Sequence, residues 1–160
     1  MINSSYFLEK GWRLGVGICL INEKKKIFLG ERIDNKGAWQ MPQGGVDIKN
    51  NETLLAAAKR ELYEETGVSN VNFLLESKNW HYYHLPNYIK KKLWSARFIG
   101  QKQKWFAFSL INEEEINLKA NPKPEFSSWK WVYPEEIIKE IVSFKKEIYE
   151  NVLQDFNSLF

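Results

Sequence analysis

Stretches rich in β-branched and aromatic residues recur at 14–21, 26–32, 71–77, 104–110 and 127–132, and they predict five strands. Between the second and third the pattern changes. From Thr53 to Tyr63 there is no Gly or Pro, and Leu55, Ala58 and Leu62 recur at helical spacing as one apolar stripe. Asn50 and Asn51 suit an N-cap, Glu52 a first turn and Gly67 the residue after the last turn, so a helix is expected over 52–66. Helices are also expected briefly after Pro134 and over 144–157. Strands with one helix between them and two near the end predict a layered α/β domain. Pro86, Pro122 and Pro124 mark loops, and 112–125 reads as a polar excursion.

The end of the central helix is unusual. Arg60-Glu61-Leu62-Tyr63-Glu64-Glu65-Thr66-Gly67 crowds three carboxylates into the last turn. Like charges three and four apart cost roughly 0.2–0.5 kcal/mol per pair, and the negative end of the helix dipole adds roughly 0.3–1 kcal/mol for each anion. A bound cation reverses both penalties. The ordinary reading is a solvated face on which Arg60 and Glu64 form an i, i+4 pair. Against it stands Trp39-Gln40-Met41-Pro42-Gln43-Gly44-Gly45, a strand-like stretch ending in a glycine pair that permits close approach of a ligand. A glycine loop feeding an acidic helix suits a cation and a phosphate.

At 160 residues the chain is read as one domain, 1–160, burying about two thirds of its unfolded surface. The single cysteine, Cys19, lies in an apolar run; it reads as a core residue and excludes an intramolecular disulfide. The start lacks a basic segment followed by a long apolar one, and no apolar span reaches 18 residues, so a soluble cytoplasmic protein is expected. The net charge of +3 says little. Basic residues do recur beside aromatics, in Tyr88-Ile89-Lys90-Lys91-Lys92-Leu93-Trp94 and in Gln101-Lys102-Gln103-Lys104-Trp105-Phe106. Such interleaving suits phosphates and stacked bases, or equally half-buried strands with solvated lysines. His81 and His84 show no clear partner and are taken as non-catalytic.

Gly44, Glu52 and Arg60-Glu61-Leu62-Tyr63-Glu64-Glu65-Thr66-Gly67-Val68 together resemble the Nudix box, here spanning about 44–68. From Glu52 onward the match is complete. Before it, seven residues separate Gly44 from Glu52 where the family has five, an insertion in a polar stretch of the kind that loops tolerate. The resemblance implies an α/β/α sandwich on a mixed sheet and hydrolysis of a nucleoside diphosphate linked to another group. Hard cations take oxygen ligands and leave positions for phosphate oxygens, so Mg²⁺ or Mn²⁺ is the expected cofactor. Glu61, Glu64 and Glu65 are the expected ligands, with the Gly44 carbonyl as a possible backbone ligand and Glu61 the foremost candidate to orient or deprotonate water. Arg60 and Glu52 are expected to pair and hold the loop to the helix.

Other pieces narrow the resemblance to bacterial RNA pyrophosphohydrolases and the related dinucleoside polyphosphate hydrolases. They are Gly11-Trp12-Arg13, residues 39–45, Gly100-Gln101-Lys102-Gln103-Lys104-Trp105-Phe106, Pro124-Glu125-Phe126 with Trp129-Lys130-Trp131, and Val142-Ser143-Phe144-Lys145-Lys146. By that likeness Glu125 is a further ligand or base, Arg13, Arg32, Lys104 and Lys145 meet phosphates, Tyr83 and Gln101 could do so, and Phe144 stacks a base. Ordinary readings compete: Phe144 with Ile148 as core, and Trp129 and Trp131 as fillers of one strand face. The expected activity is removal of pyrophosphate from the 5′-triphosphate end of RNA, leaving a monophosphate and favouring transcript decay. Hydrolysis of a dinucleoside polyphosphate such as diadenosine tetraphosphate is the alternative. A non-catalytic nucleotide sensor is a third, against which the retained repulsive acids argue. Single-stranded RNA ends suit the first reading, because exposed bases stack on aromatics. No membrane and no obligate protein partner is expected.

Overall fold

The computed structural model describes residues 8–86 and 97–160, so the basic stretch 88–94 lies outside the described residues. The elements are β1 (Trp12–Ile21), β2 (Ile27–Arg32), β3 (Trp39–Gln40), β4 (Gln43–Gly45), α1 (Leu54–Thr66), β5 (Val71–Glu76), β6 (His81–His84), β7 (Gly100–Leu110), β8 (Phe126–Val132), α2 (Ile137–Glu140) and α3 (Lys146–Asp155).

The sheet is mixed. β1 and β7 run parallel through ten paired residues, from Trp12 opposite Gly100 to Ile21 opposite Ser109. β5 and β6 pair antiparallel with β7, and β3 and β8 pair antiparallel with β2. On its other side β1 changes partner: Gly15, Val16 and Gly17 face β4, whereas Ile21 faces Ile27 of β2. The sheet therefore opens between β4 and β2, and residues 39–45 cross the opening.

Side chains alternate across a strand. One set, Leu14, Val16, Ile18 and Leu20 with Phe106 and Phe108, packs under Leu54, Ala57, Ala58 and Leu62 of α1. Each large apolar side chain so buried contributes about 1.5–3 kcal/mol relative to exposure. The opposite set, Cys19, Ile21, Trp105 and Ala107, packs against Ile137 of α2 and Ile148, Tyr149 and Val152 of α3. This is the expected α/β/α sandwich. Trp129 stacks on Phe28 and Trp131 meets it edge-on in the first of these cores, in keeping with their reading as strand fillers.

Some boundaries differ from the sequence expectation. The N-cap of α1 is Thr53, whose Oγ1 accepts from Ala56 N at 3.1 Å. Asn50 and Asn51 instead close a 3₁₀ turn over Ile48–Asn50 that Asp47 caps, with Asn51 left-handed at φ 52°. The extra loop length is absorbed in this turn. At the other end Gly67, at φ 76°, caps α1 as expected. β7 begins at Gly100, earlier than the apolar pattern alone reveals, and α3 begins only after a 3₁₀ turn over Ser143–Lys145.

Candidate active site

The crossing segment 39–45 touches every part of the opening. Its backbone is anchored by Ile18 N donating to Pro42 O (2.8 Å) and Met41 N donating to the Tyr149 hydroxyl (2.8 Å). Gln43 N donates to Glu65 Oε2 (3.2 Å), and Gly45 O accepts from Arg60 Nη2 (2.8 Å). The glycine pair is required by proximity. A Cβ on Gly44 would lie 1.9 Å from the Glu61 carboxyl carbon, and one on Gly45 would lie 2.5 Å from Arg13 Nη2. Any side chain here displaces a charged group.

The acids converge on that segment. Glu65 is only 2% exposed, and among the described residues its Oε1 has no hydrogen-bond partner. Burial first, and then the neighbouring Glu125 and Glu61 carboxylates, push its pKa well above the usual carboxylate value. Glu61 is raised to about 7, again mainly by burial, with Arg60 opposing and Glu64 and Glu125 reinforcing. Glu64 is more open. Glu125 is exposed, and its loop is tied to the end of β2 by Ile33 N donating to Glu125 O at 2.9 Å.

Arg60 organises the helix end. Its Nε and Nη2 donate to the two Glu52 oxygens (2.7 and 3.0 Å), while Nη1 donates to Glu61 Oε1 (2.8 Å) and Glu64 Oε2 (3.3 Å). The expected Arg60–Glu52 pair is present. Among the described residues no three acids form a ready-made metal cage, because Glu61 and Glu64 are turned onto the guanidinium. The donor set nonetheless fits a hard divalent cation: it is all oxygen, it is mutually repulsive, and it includes an orphaned buried carboxylate oxygen.

Cations and rings line the other side of the opening. Arg13 lies over Gly45 and donates through Nη1 to Gln101 Oε1 (3.4 Å). Arg32 grips Asp34 through Nε and Nη2 (2.7 and 2.6 Å) and reaches Gln40 Oε1 through Nη1 (3.5 Å). Lys145, 4% exposed, donates to the same Gln40 oxygen at 2.8 Å. Burial and then Arg32 lower its pKa to about 7, against the pull of Glu65 and Glu125. Its Nζ lies 5.7 Å from the Tyr83 ring centroid and 5.9 Å from that of Phe144, and these two rings are 6.3 Å apart. Phe144 is half-buried against the core, so its packing and its ring face toward Tyr83 coexist.

Lys104 is not part of this assembly. Alternation along β7 sends Gln101 and Gln103 to the opening but Lys102 and Lys104 to the opposite face, where Lys104 Nζ donates to Lys78 O (3.2 Å) and lies 5.3 Å from the Trp80 ring centroid. His81 does have a partner, Asp155 Oδ2 at 2.9 Å, which ties β6 to α3 away from the acids. The sequence reading missed Gln40, Gln43, Gln103 and Tyr149, whose polar tips hold the site residues in place. Neutral amides carry neither charge nor helical period, and the only signal was glutamine recurring at 40, 43, 101 and 103.

Residues 11–152 match the family described as the NUDIX domain. The chain belongs to the Nudix family. This Nudix protein is 43% identical over 148 residues to a protein of Orientia tsutsugamushi named RNA pyrophosphohydrolase, covering 91% of this chain and 90% of that one. It is 41% identical over 159 residues to a Rickettsia typhi protein of the same name, covering 98% and 97%. It is also 46% identical over 156 residues to Nudix hydrolase 27, chloroplastic, of Arabidopsis thaliana, covering 94% of this chain and 68% of the relative. In fold it resembles an Ap4A hydrolase of C. elegans, with TM-score 0.66 and 18% identity over 92% of this chain and 99% of that one. Among the described residues no helix is long and apolar enough to cross a membrane.

Proposed function

We propose that this Nudix hydrolase removes pyrophosphate from the 5′-triphosphate end of RNA, leaving a 5′-monophosphate, and that residues 1–160 act as one catalytic domain. The observation that carries the reading is adjacency. The acids Glu61, Glu65 and Glu125 share one opening in the sheet with Arg13, Arg32 and Lys145, and the Tyr83 and Phe144 rings adjoin it. Both Arg32 and Lys145 are electrostatically coupled to Glu65 and Glu125. The names of the bacterial relatives, matched over nearly their whole length, support the same substrate. The reading puts the protein with its transcripts in the cytoplasm.

In this mechanism Glu61, Glu64, Glu65 and Glu125, with the Gly44 carbonyl, would hold the divalent cation. Mg²⁺, or Mn²⁺ in its place, would supply the positive charge that offsets both the carboxylates and the phosphate oxygens. Arg13, Arg32 and Lys145 bind and align the polyphosphate, which is most of what phosphoryl chemistry asks of a protein. Glu61 orients the attacking water and takes its proton. Phe144 stacks a base of the RNA end, with Tyr83 and Gln101 toward the phosphates.

The decisive comparison offers the purified protein, with Mg²⁺, 5′-triphosphorylated RNA and diadenosine tetraphosphate side by side. Higher kcat/KM on RNA, with pyrophosphate released, is expected. Faster cleavage of diadenosine tetraphosphate would transfer the assignment to dinucleoside polyphosphates, and binding without turnover of either would make the protein a sensor. Glu64→Gln should fold normally and lose most turnover, and full activity in that variant would remove Glu64 from the ligand set.

A further inference from the structure

Trp105 is fully buried, and its indole nitrogen can only donate. A Cβ on Gly17 would lie 2.2 Å from the indole, and Tyr149 packs edge-on at 5.6 Å, so the ring has one seat. Its Nε1 donates to Gln103 Oε1 at 3.2 Å, which turns the Gln103 nitrogen the other way, to donate to Gln43 Oε1 at 3.4 Å. Gln43 in turn donates through Nε2 to the Tyr83 hydroxyl at 3.2 Å. A second donor-only group repeats the logic. Arg13 Nη1 occupies the Gln101 oxygen and fixes that amide in the same way.

An amide can be reversed in place with almost no change of shape. Here the indole at one end and the guanidinium at the other remove that freedom. The Tyr83 oxygen receives the Gln43 N–H, so its own proton must go elsewhere, and among the described residues no hydrogen bond uses it. Burial keeps the phenol protonated, with its pKa pushed up to about 12. Arg13 and Arg32 act on it electrostatically, and Lys145 lies over its ring. An anion is what such surroundings favour.

We infer that Trp105, Gln103 and Gln43 form a polarity relay that commits the Tyr83 hydroxyl to donate to an anionic oxygen of the 5′-polyphosphate. Trp105 and Gln103 are thereby positioning residues, remote from the substrate. The inference rests on the proposed substrate only for the identity of that oxygen.

A double-mutant cycle tests it. Gln103→Met keeps side-chain length but breaks the relay, and Trp105→Phe removes the anchoring N–H. Each is made alone and with Tyr83→Phe. The readouts are melting temperature, KM and kcat on a 5′-triphosphorylated dinucleotide with Mg²⁺, and Kd for the same molecule without metal. Losing a hydrogen bond to a charged group should raise KM and Kd about tenfold in Tyr83→Phe. Gln103→Met and Trp105→Phe should approach that effect with kcat nearly unchanged, and neither should weaken binding further once Tyr83 is Phe. Multiplying effects, or an unchanged Kd in both Gln103→Met and Trp105→Phe, would overturn the relay. Because Kd needs no turnover, binding without hydrolysis would refute the proposed activity while still judging the relay, and no binding at all would refute both.

Discussion

The two faces of the β1–β7 pair make opposite use of the same strands. Toward α1 the strands offer Leu14, Val16, Ile18, Leu20, Phe106 and Phe108, an apolar surface packed under Leu54, Ala57, Ala58 and Leu62, with Lys102 and Lys104 at its polar edge on β7. Toward α3 only the C-terminal halves are apolar, with Cys19, Ile21, Trp105 and Ala107. The N-terminal halves present Arg13, Gly15 and Gly17 beside Gln101 and Gln103. Burying such groups costs stability unless their hydrogen bonds are met; Arg13 bonds Gln101, and Gln103 is held between Trp105 and Gln43. Fold and function are thus separated by the alternation of the strand, and substitutions on the two faces should fail in different ways.

The largest effect expected is on the apolar face. Phe108→Ala should lose about 3–5 kcal/mol of stability, seen as a lower denaturant midpoint, while KM of the folded fraction stays as in wild type. A changed KM would break the division. Next, Glu65→Gln should lower turnover by at least about 10–100-fold, the range that even outer-shell changes at metal sites reach. The same substitution should flatten a pH dependence. Because the folded-state pKa of Glu65 is raised, its contribution to stability is complete below the unfolded-state pKa and is lost as pH rises through the folded-state value. In chelator the wild type should therefore melt lower as pH increases, and Glu65→Gln should show less of this slope.

A smaller effect sharpens the contrast at Lys145. With its pKa lowered to about 7, much of it is neutral at pH 8 in the free protein, and phosphate binding should restore its charge. Calorimetry in buffers of different ionisation enthalpy should show proton uptake on binding, and Lys145→Met should abolish it while raising KM about tenfold. The smallest expected effect is at Lys104. Lys104→Gln should change KM by less than about twofold, as surface substitutions away from a site usually do; a tenfold rise would return that residue to the phosphates.

Much of this was legible in the sequence. The Nudix pattern located α1, its Gly67 cap, the Arg60–Glu52 pair and the acids around Glu65, because a charge cluster at a helix end is costly and therefore conspicuous. What escaped was fixed by tertiary contact. Thr53 displaced Asn50 and Asn51 as the cap because the extra loop residues fold into a 3₁₀ turn first. The start of β7 was hidden because its first residues are polar yet paired to β1. Lys104 stands apart for a related reason: likeness implies a phosphate role, but the register of β7 turns its side chain toward Lys78 and Trp80.

The parallel ladder between β1 and β7 carries one more consequence. Arg13 and Gln101 are partners in it although 88 residues apart, so a long loop must close before either meets the other. Contacts of such separation slow the search for the native state. The box acids lie close together in sequence along α1, but the cationic half of the opening arrives only with the closing of the sheet. A partly folded molecule would thus carry the acids without the means to align a polyphosphate, and hydrolytic competence should appear late, in the same kinetic phase as the burial of Trp105.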